Sequence, residues 1–380
     1  MTCDLNTVDL FCGAGGLSLG FEENGFNTLV ANDYHPDPCE TFEHNINAPA
    51  VAEDITEISS EYLMDEGGFS SEDVDVVIGG PPCKGFSLAG ERDPEDPRNY
   101  LFREYVRFVE SFSPDVVVME NVTGILSMKD GEYKKQILKQ LRDLGYKTKF
   151  DILDAADYGV PQHRRRVIFI GHDPDLDIQY PEPTHYDSGS GQQTLTQLGG
   201  SEGQDYVQVG DAISDLAFLG PGESAVEYEL PPSSNYQEDM REDSSEVHNH
   251  VAPNHSERIQ ERFSLMEPGM GMESLPEEHQ TKKQRMIKLD PASLVDTITT
   301  LPEDFVHYSQ NRIPTVREMA RLQSFPDDFE FKGPRTTGGQ RRTESVPQYS
   351  QVGNAVPPRL ADAIAREVKA GILESTQAAQ

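Results

Sequence analysis

Thr7-Val8-Asp9-Leu10-Phe11-Cys12-Gly13-Ala14-Gly15-Gly16-Leu17-Ser18-Leu19-Gly20-Phe21-Glu22 reads as a short strand, a sharp glycine-rich turn and the start of a helix. That order opens a nucleotide-binding α/β unit. It is not the dinucleotide fingerprint, because G-x-G-x-x-G laid on Gly13 and Gly15 needs a third glycine where Ser18 stands. A plain tight turn is the alternative reading of this loop taken alone. The continuation favours the nucleotide reading. Asn27-Thr28-Leu29-Val30-Ala31 forms a second strand and ends at Asn32-Asp33, where an acid is placed for ribose hydroxyls. Asp54 follows in Glu53-Asp54-Ile55. Several carboxylates without a phosphate-gripping lysine suit a cationic, phosphate-free nucleoside such as S-adenosylmethionine better than NAD or ATP.

Further along, Val74-Asp75-Val76-Val77-Ile78 is a strand with both faces buried, and Gly79-Gly80-Pro81-Pro82-Cys83-Lys84-Gly85-Phe86-Ser87 follows it. The glycines end the strand. The prolines then hold an extended backbone and keep the next residue out of a helix. In open parallel sheets, ligands gather at the carboxyl ends of strands. A thiol presented there beside Lys84 is favoured as thiolate, the nucleophilic form. A buried, inert thiol is the commoner fate of a lone cysteine, but it needs neither two prolines before it nor a polar loop after it. The loop through Arg98 is long and polar, in the manner of an active-site lid.

Tyr100, Leu101, Phe102, Tyr105, Val106, Phe108 and Val109 recur at helical spacing and read mostly as a core-facing stripe. Asp115-Val116-Val117-Val118-Met119 is another buried strand, ending in Glu120-Asn121-Val122. A carboxylate at the end of an apolar strand is costly unless it is used or paired. Residues 131–144 form an amphipathic structural helix. Gln162-His163-Arg164-Arg165-Arg166 opens the strand Val167-Ile168-Phe169-Ile170, so alternate arginines must point toward the sheet edge. From about residue 186 to 280 the chain is polar, rich in Ser, Gly, Gln, Glu and Pro, and reads as an irregular second domain or insertion. Order returns in a helix from Thr315, with Glu318 placed for a capping box. Gly353-Asn354-Ala355-Val356-Pro357-Pro358 and a C-terminal helix, Leu360 to about Ile372, close the chain.

The net charge of −34, from 66 acidic and 32 basic residues, speaks against a polyanion ligand at first sight. Two readings compete: a protein that avoids or mimics DNA, and one built for a very salty cytoplasm. At about 1 M salt the screening length is about 3 Å, so local basic islands such as His163 to Arg166 decide what binds. The halophile reading is preferred. The 4 cysteines contain no C-x-x-C pair, which suits a reducing compartment and neither a disulfide framework nor a zinc site. No apolar run reaches the length of a membrane span and no signal segment opens the chain, so a soluble cytoplasmic protein is expected.

Taken together, these stretches resemble the DNA (cytosine-5)-methyltransferase family, in the family's usual motif order. Asp9 to Gly16 resembles its cofactor loop, Pro81-Pro82-Cys83 its catalytic motif and Glu120-Asn121-Val122 its second catalytic motif. Gln162 to Arg166 resembles its paired-arginine motif. Arg317 to Pro326 and Gly353 to Pro358 resemble its closing motifs. The resemblance implies an α/β, Rossmann-like S-adenosylmethionine-dependent methyltransferase sheet with a smaller, irregular target-recognition domain. It implies that Cys83 attacks carbon 6 of a cytosine, Glu120 holds the N3 edge, and Arg164 and Arg166 contact and orient the base. Phe11, Gly13, Ala14, Gly16, Asp33, Asp54, Ile55, Pro82, Leu101 and Asn354 fall on cofactor-lining positions. The implied partner is double-stranded DNA met by a monomer, with a restriction endonuclease of the same site as a second candidate. Base flipping is implied, since a thiol cannot reach a stacked ring.

Residues 1–185, completed by 345–380, are expected to form the catalytic and cofactor-binding domain, and 186–344 the target-recognition domain. Within the variable segment, Lys282, Lys283, Arg285 and Lys288 are candidates for reaching DNA, with a solvated helix face weighted equally. Lys84 stands where the family commonly has glutamine. Two rivals remain: a tRNA cytosine methyltransferase with the same motifs, and a catalytically silent acidic binding protein. The long acidic variable segment and the missing Cys-Phe-Thr run after Val122 speak against the first, and the intact Cys, Glu and Arg set against the second.

Overall fold

The computed structural model describes residues 5–82, 101–187, 203–281, 283, 285–336 and 345–378. Two compact units divide the chain. Met1–Asp154, Arg165–Glu182 and Pro358–Gln380 make the first, and Ala155–Arg164 with Pro183–Pro357 the second. The division runs through the paired-arginine motif, so Arg164 belongs to one unit and Arg166 to the other.

The first unit is built on a seven-stranded sheet. Its strands are β1 (Leu5–Leu10), β2 (Phe26–Asp33), β3 (Ala50–Ala52), β4 (Val76–Gly79), β5 (Val116–Val122), β6 (Lys147–Asp154) and β8 (Arg165–His172), β7 lying in the second unit. Their order is β3-β2-β1-β4-β5-β8-β6. The first five are parallel, whereas β8 runs antiparallel to both its neighbours. Helices α1 (Gly16–Glu22), α2 (Pro36–Asn45), α3 (Ser60–Gly67), α4 (Phe102–Phe112) and α5 (Glu132–Asp143) follow the strands in the chain. Val76, Val77, Ile78, Val116, Val117 and Val118 are fully buried, as expected of parallel strands covered on both faces. Helix α4 buries Phe102, Tyr105, Val106, Phe108, Val109 and Phe112, the stripe read from spacing. It ends where Ser113 turns left-handed at φ +50°.

Two glycines set strand and helix distances. A Cβ on Gly79 would lie 2.2 Å from the Leu10 carbonyl oxygen on the paired strand. One on Gly20 would lie 2.4 Å from the backbone nitrogen of Asp362, in the long C-terminal helix (Pro358–Ala378) that packs on α1.

The second unit has short elements. Its paired strands are two residues long: β7 (Gln162–His163) with Val295–Asp296, His185–Tyr186 with Gln204–Asp205, and Ile287–Lys288 with Phe305–Val306. Helix Val316–Leu322 carries the expected capping box. Thr315 Oγ1 accepts from the Glu318 amide at 3.1 Å, and Glu318 Oε2 accepts from the Thr315 amide at 2.8 Å. Not anticipated was an interior held by charge. Arg321 is buried with both Asp327 oxygens at 2.6 Å and Asp215 Oδ1 at 3.1 Å. Arg312 grips Glu318 through two 2.7 Å bonds. Burial alone would raise the Glu318 carboxyl, but Arg312 and His307 hold it down at about 2.

The basic candidates of the variable segment need correction. Lys288 is buried, and its ammonium donates to the carbonyls of Phe263 and Met266 at 3.2 and 3.1 Å, closing the end of helix Glu257–Leu265. Lys283 lies 3.2 Å from Asp304. Arg285 donates to the Thr297 carbonyl and stands over the Phe305 ring. None of the three lies on a helix, and each has a partner within the unit. Lys282 lies outside the described residues.

Candidate active site

Asp9 sits at the end of β1, buried, and its Oδ2 accepts from Ser18 Oγ at 2.6 Å. This bond spans the glycine-rich loop and explains serine where a third glycine would stand in the dinucleotide pattern. Burial pushes the Asp9 carboxyl up to about 7, against the Ser18 bond, with Asp33 adding to the rise. Between the two, Phe11, Gly13 and Gly15 all take positive φ, at +61°, +55° and +96°. The loop therefore coils tightly, with Ala14 and Gly16 buried beneath it.

Asp33 ends β2. Its Oδ2 accepts from the Gly13 amide at 3.1 Å and its Oδ1 from the His35 amide at 3.0 Å. Burial raises its carboxyl above the usual range, against these two bonds. Asp54 follows β3; its Oδ1 takes the Thr56 amide at 2.9 Å and hydroxyl at 2.8 Å. The Ile55 side chain is buried in the core, and Leu101 packs against the same cluster. Two acids, a coiled glycine loop and an apolar floor fit a nucleoside with hydroxyls to bind and no phosphate. Tyr34, which follows Asp33, is 63% exposed.

Glu120 and Arg166 come together. Val122 pairs with Arg166 across the β5–β8 ladder, and Arg166 Nε lies 2.7 Å from Glu120 Oε1. Their side chains are 12% and 13% exposed, so the pair is partly sheltered yet reachable. The other carboxylate oxygen faces Gly80, where a Cβ would be 3.4 Å away. Next door, the buried Asn121 donates from Nδ2 to the Pro81 carbonyl at 2.9 Å. The end of β5 thus grips the exit of β4 at Pro81, beside the half-buried Pro82. Asn121 lies inside a quoted motif, but nothing in its sequence position announced this grip. Cys83 and Lys84 lie outside the described residues. Cys12 and Cys39 are buried, and burial pushes the Cys12 thiol well up, as befits structural thiols.

In the second unit, Arg164 is buried with its guanidinium on backbone carbonyls: Ile298 at 3.3 Å, Gly353 at 3.0 Å and Asn354 at 3.3 Å. Gln162 donates to the Leu322 carbonyl and to Gln323, and Gln323 donates to the Val352 carbonyl. Gln162 and Arg164 of the paired-arginine motif are thus hydrogen-bonded to residues of both closing motifs that lie in this unit. Asn354 ends its helix with an exposed side chain.

The family model for C-5 cytosine-specific DNA methylases matches residues 5–370. The chain belongs to this family. The methylase is 40% identical to the Type II methyltransferase M.DdeI of Desulfomicrobium norvegicum, over 96% of this chain and 88% of that protein. It is 37% identical to M1.HphI of Haemophilus parahaemolyticus, over 96% and 86%. A crystal structure from E. coli, described as a DNA modification methyltransferase encoded within a prophage, superposes with a TM-score of 0.76 at 25% identity, over 97% of this chain and 100% of that one. The methylase is thus a DNA (cytosine-5)-methyltransferase dependent on S-adenosylmethionine, with the mixed α/β sheet expected of it. These relatives favour neither the tRNA reading nor the silent binding protein. Among the described residues, no helix is long and apolar enough to cross a membrane.

Proposed function

We propose that the methylase acts on a cytosine flipped out of duplex DNA, with Cys83 as nucleophile and the Glu120–Arg166 pair at the base. The observation that carries this is the convergence of Glu120, Arg166 and the Asn121-held Pro81 carbonyl at the ends of β4 and β5. The Cys83 thiolate forms a bond to carbon 6, and the ring electrons are accepted toward N3, where Glu120 shares a proton. Arg166 fixes the Glu120 carboxylate against rotation. S-adenosylmethionine, when bound, supplies an electrophilic methyl group on a sulfonium centre. Once carbon 5 is substituted, loss of its proton expels the thiolate, breaks the sulfur–carbon 6 bond and restores the aromatic ring. Covalent addition splits one hard step into two easier ones.

Asp33 would take the ribose hydroxyls and Asp54 with Ile55 the adenine. Phe11, Gly13, Ala14 and Gly16 would shape the loop beside the nucleoside, with Pro82, Leu101 and the exposed Tyr34 completing the first unit's lining. Arg164 is better read as a positioning residue than as a base contact, since its guanidinium is bonded to carbonyls. The second unit, which holds the variable segment, would read the bases flanking the target. A cognate endonuclease fits the Type II names of the relatives. The −34 charge fits a cytoplasm of molar salt, and activity that survives in dilute buffer would count against that.

Bisulfite sequencing of DNA from cells expressing the chain identifies the target site. Duplex DNA with 5-fluorocytosine at that site then forms a denaturant-stable adduct with the wild type, because fluorine blocks the final elimination. Cys83→Ala forms none and still binds cofactor. An adduct with Cys83→Ala overturns the nucleophile.

A further inference from the structure

The turn carrying Asp54 and Ile55 runs from β3 to α3 with little backbone bonding of its own. One bond closes it, from the Glu57 amide to the Asp54 carbonyl at 2.9 Å. Upstream, Asn32 Nδ2 ties it to β2 through the carbonyls of Val51 and Glu53, at 2.8 and 3.0 Å. Downstream, the carbonyls of Ile55 and Ile58 both accept from one nitrogen, Arg107 Nη2, at 2.7 and 3.1 Å.

Arg107 itself is well aimed. Its Nε pairs with Glu104 Oε2 at 2.7 Å, one turn back on α4, and its guanidinium stands 4.4 Å from the Phe108 ring centroid. The planar fork is thus fixed on one edge and one face, leaving Nη2 for the turn. An exposed helix ion pair alone contributes little. Two carbonyls of the same turn on the same nitrogen are a different arrangement, because they set the turn's distance from α4. The side chain is 38% exposed, so its removal opens no core cavity.

We propose that Arg107 is a positioning residue for the cofactor: from α4 it holds, through the carbonyls of Ile55 and Ile58, the turn that presents Asp54 and Ile55 to the adenine. This rests on the reading of Asp54 and Ile55 given above. A lysine keeps the charge, but its single ammonium cannot serve Glu104 and both carbonyls with the same geometry.

Calorimetric binding of S-adenosylhomocysteine to the full chain tests it, using Arg107→Ala, Arg107→Lys, Asp54→Ala and the Asp54→Ala/Arg107→Ala double variant. Arg107→Ala weakens binding about tenfold, and Arg107→Lys weakens it less. The double variant is less than additive, because both changes act on one turn. In turnover, KM for S-adenosylmethionine rises by the same factor, while kcat and KM for DNA stay within about twofold. If the alanine variant does not fold, the lysine variant must show this KM-only pattern. Unchanged affinity in both Arg107 variants beside a weakened Asp54→Ala overturns the proposal. So does a loss of kcat that tracks a fall in Tm. Unchanged affinity in Asp54→Ala overturns the cofactor reading instead.

Discussion

Arg166 Nε lies 2.7 Å from Glu120 Oε1, and the two residues belong to antiparallel neighbours, β8 and β5. The guanidinium therefore fixes the carboxylate from one side and leaves its other oxygen toward Gly80. Glu120→Gln is expected to lower kcat/KM by about 10²–10⁴-fold, the usual weight of a proton-handling group. Arg166→Ala should cost about 10²-fold by letting the carboxylate rotate. Neither change should move Tm greatly. Single-turnover methylation rates and thermal melts of the same preparations check this.

Arg164 should behave in the opposite way. Its loss strands carbonyls of Ile298, Gly353 and Asn354 that it now satisfies. Arg164→Met is expected to destabilise the fold by about 3–5 kcal/mol, the scale of a buried charged donor removed from its partners. Denaturant unfolding measures it. A variant with native stability and absent methylation would return Arg164 to the base.

The Arg321–Asp327 pair is buried and bidentate, with Asp215 as a second partner. Without Asp327, Arg321 shares Asp215 with Arg241, and the buried Arg317 loses the carboxylate beside it. Asp327→Ala should therefore cost about 3–5 kcal/mol. Asp327→Asn, which keeps an oxygen for Arg321, should lose less. Urea midpoints of the two variants decide it.

His307 gives a pH test. Its Nδ1 accepts from the amides of Ser309 and Gln310 at 3.1 and 3.2 Å, so the neutral ring carries its proton on Nε2, 3.6 Å from Glu318 Oε1. Tyr308 stacks on the ring at 4.5 Å, and Arg312 Nη2 lies 2.7 Å from the same Glu318 Oε1. Burial pushes His307 down from 6.5 to about 4, and does the same to His250. Between those values the unfolded chain binds protons that the native state refuses. Their contribution is therefore complete above about pH 6.5 and is lost as the pH falls toward 4, by about 1.4 kcal/mol per pH unit for each histidine. Asp9, raised to about 7, acts with the opposite sign, so the comparison is between wild type and His307→Asn. The variant's stability should fall less steeply from pH 6.5 to 4. Equal slopes would show that His307 titrates normally.

Much of the catalytic unit was legible in the order of residues alone. Runs such as Val116-Val117-Val118, short and β-branched between turn signals, read as strands buried on both faces. Glycines and prolines mark where those strands end, and a carboxylate at such an end is costly unless it is used or paired. Those signals are local, within a few residues of the chain, so sequence displays them. Partnership is different. That Asn121 grips Pro81 and that Arg166 clamps Glu120 are consequences of which strands lie side by side, and that Ser18 closes on Asp9 depends on how the loop between strand and helix coils. The same limit explains the basic residues of the variable segment. A lysine's charge is written in the sequence, but whether it faces DNA or caps a helix, as Lys288 does, depends on chain 22 to 25 residues away. The buried ion pairs of Arg312 and Arg321 were invisible for the same reason. Desolvating a charge is unfavourable until its partner is in place, and only the tertiary structure supplies the partner.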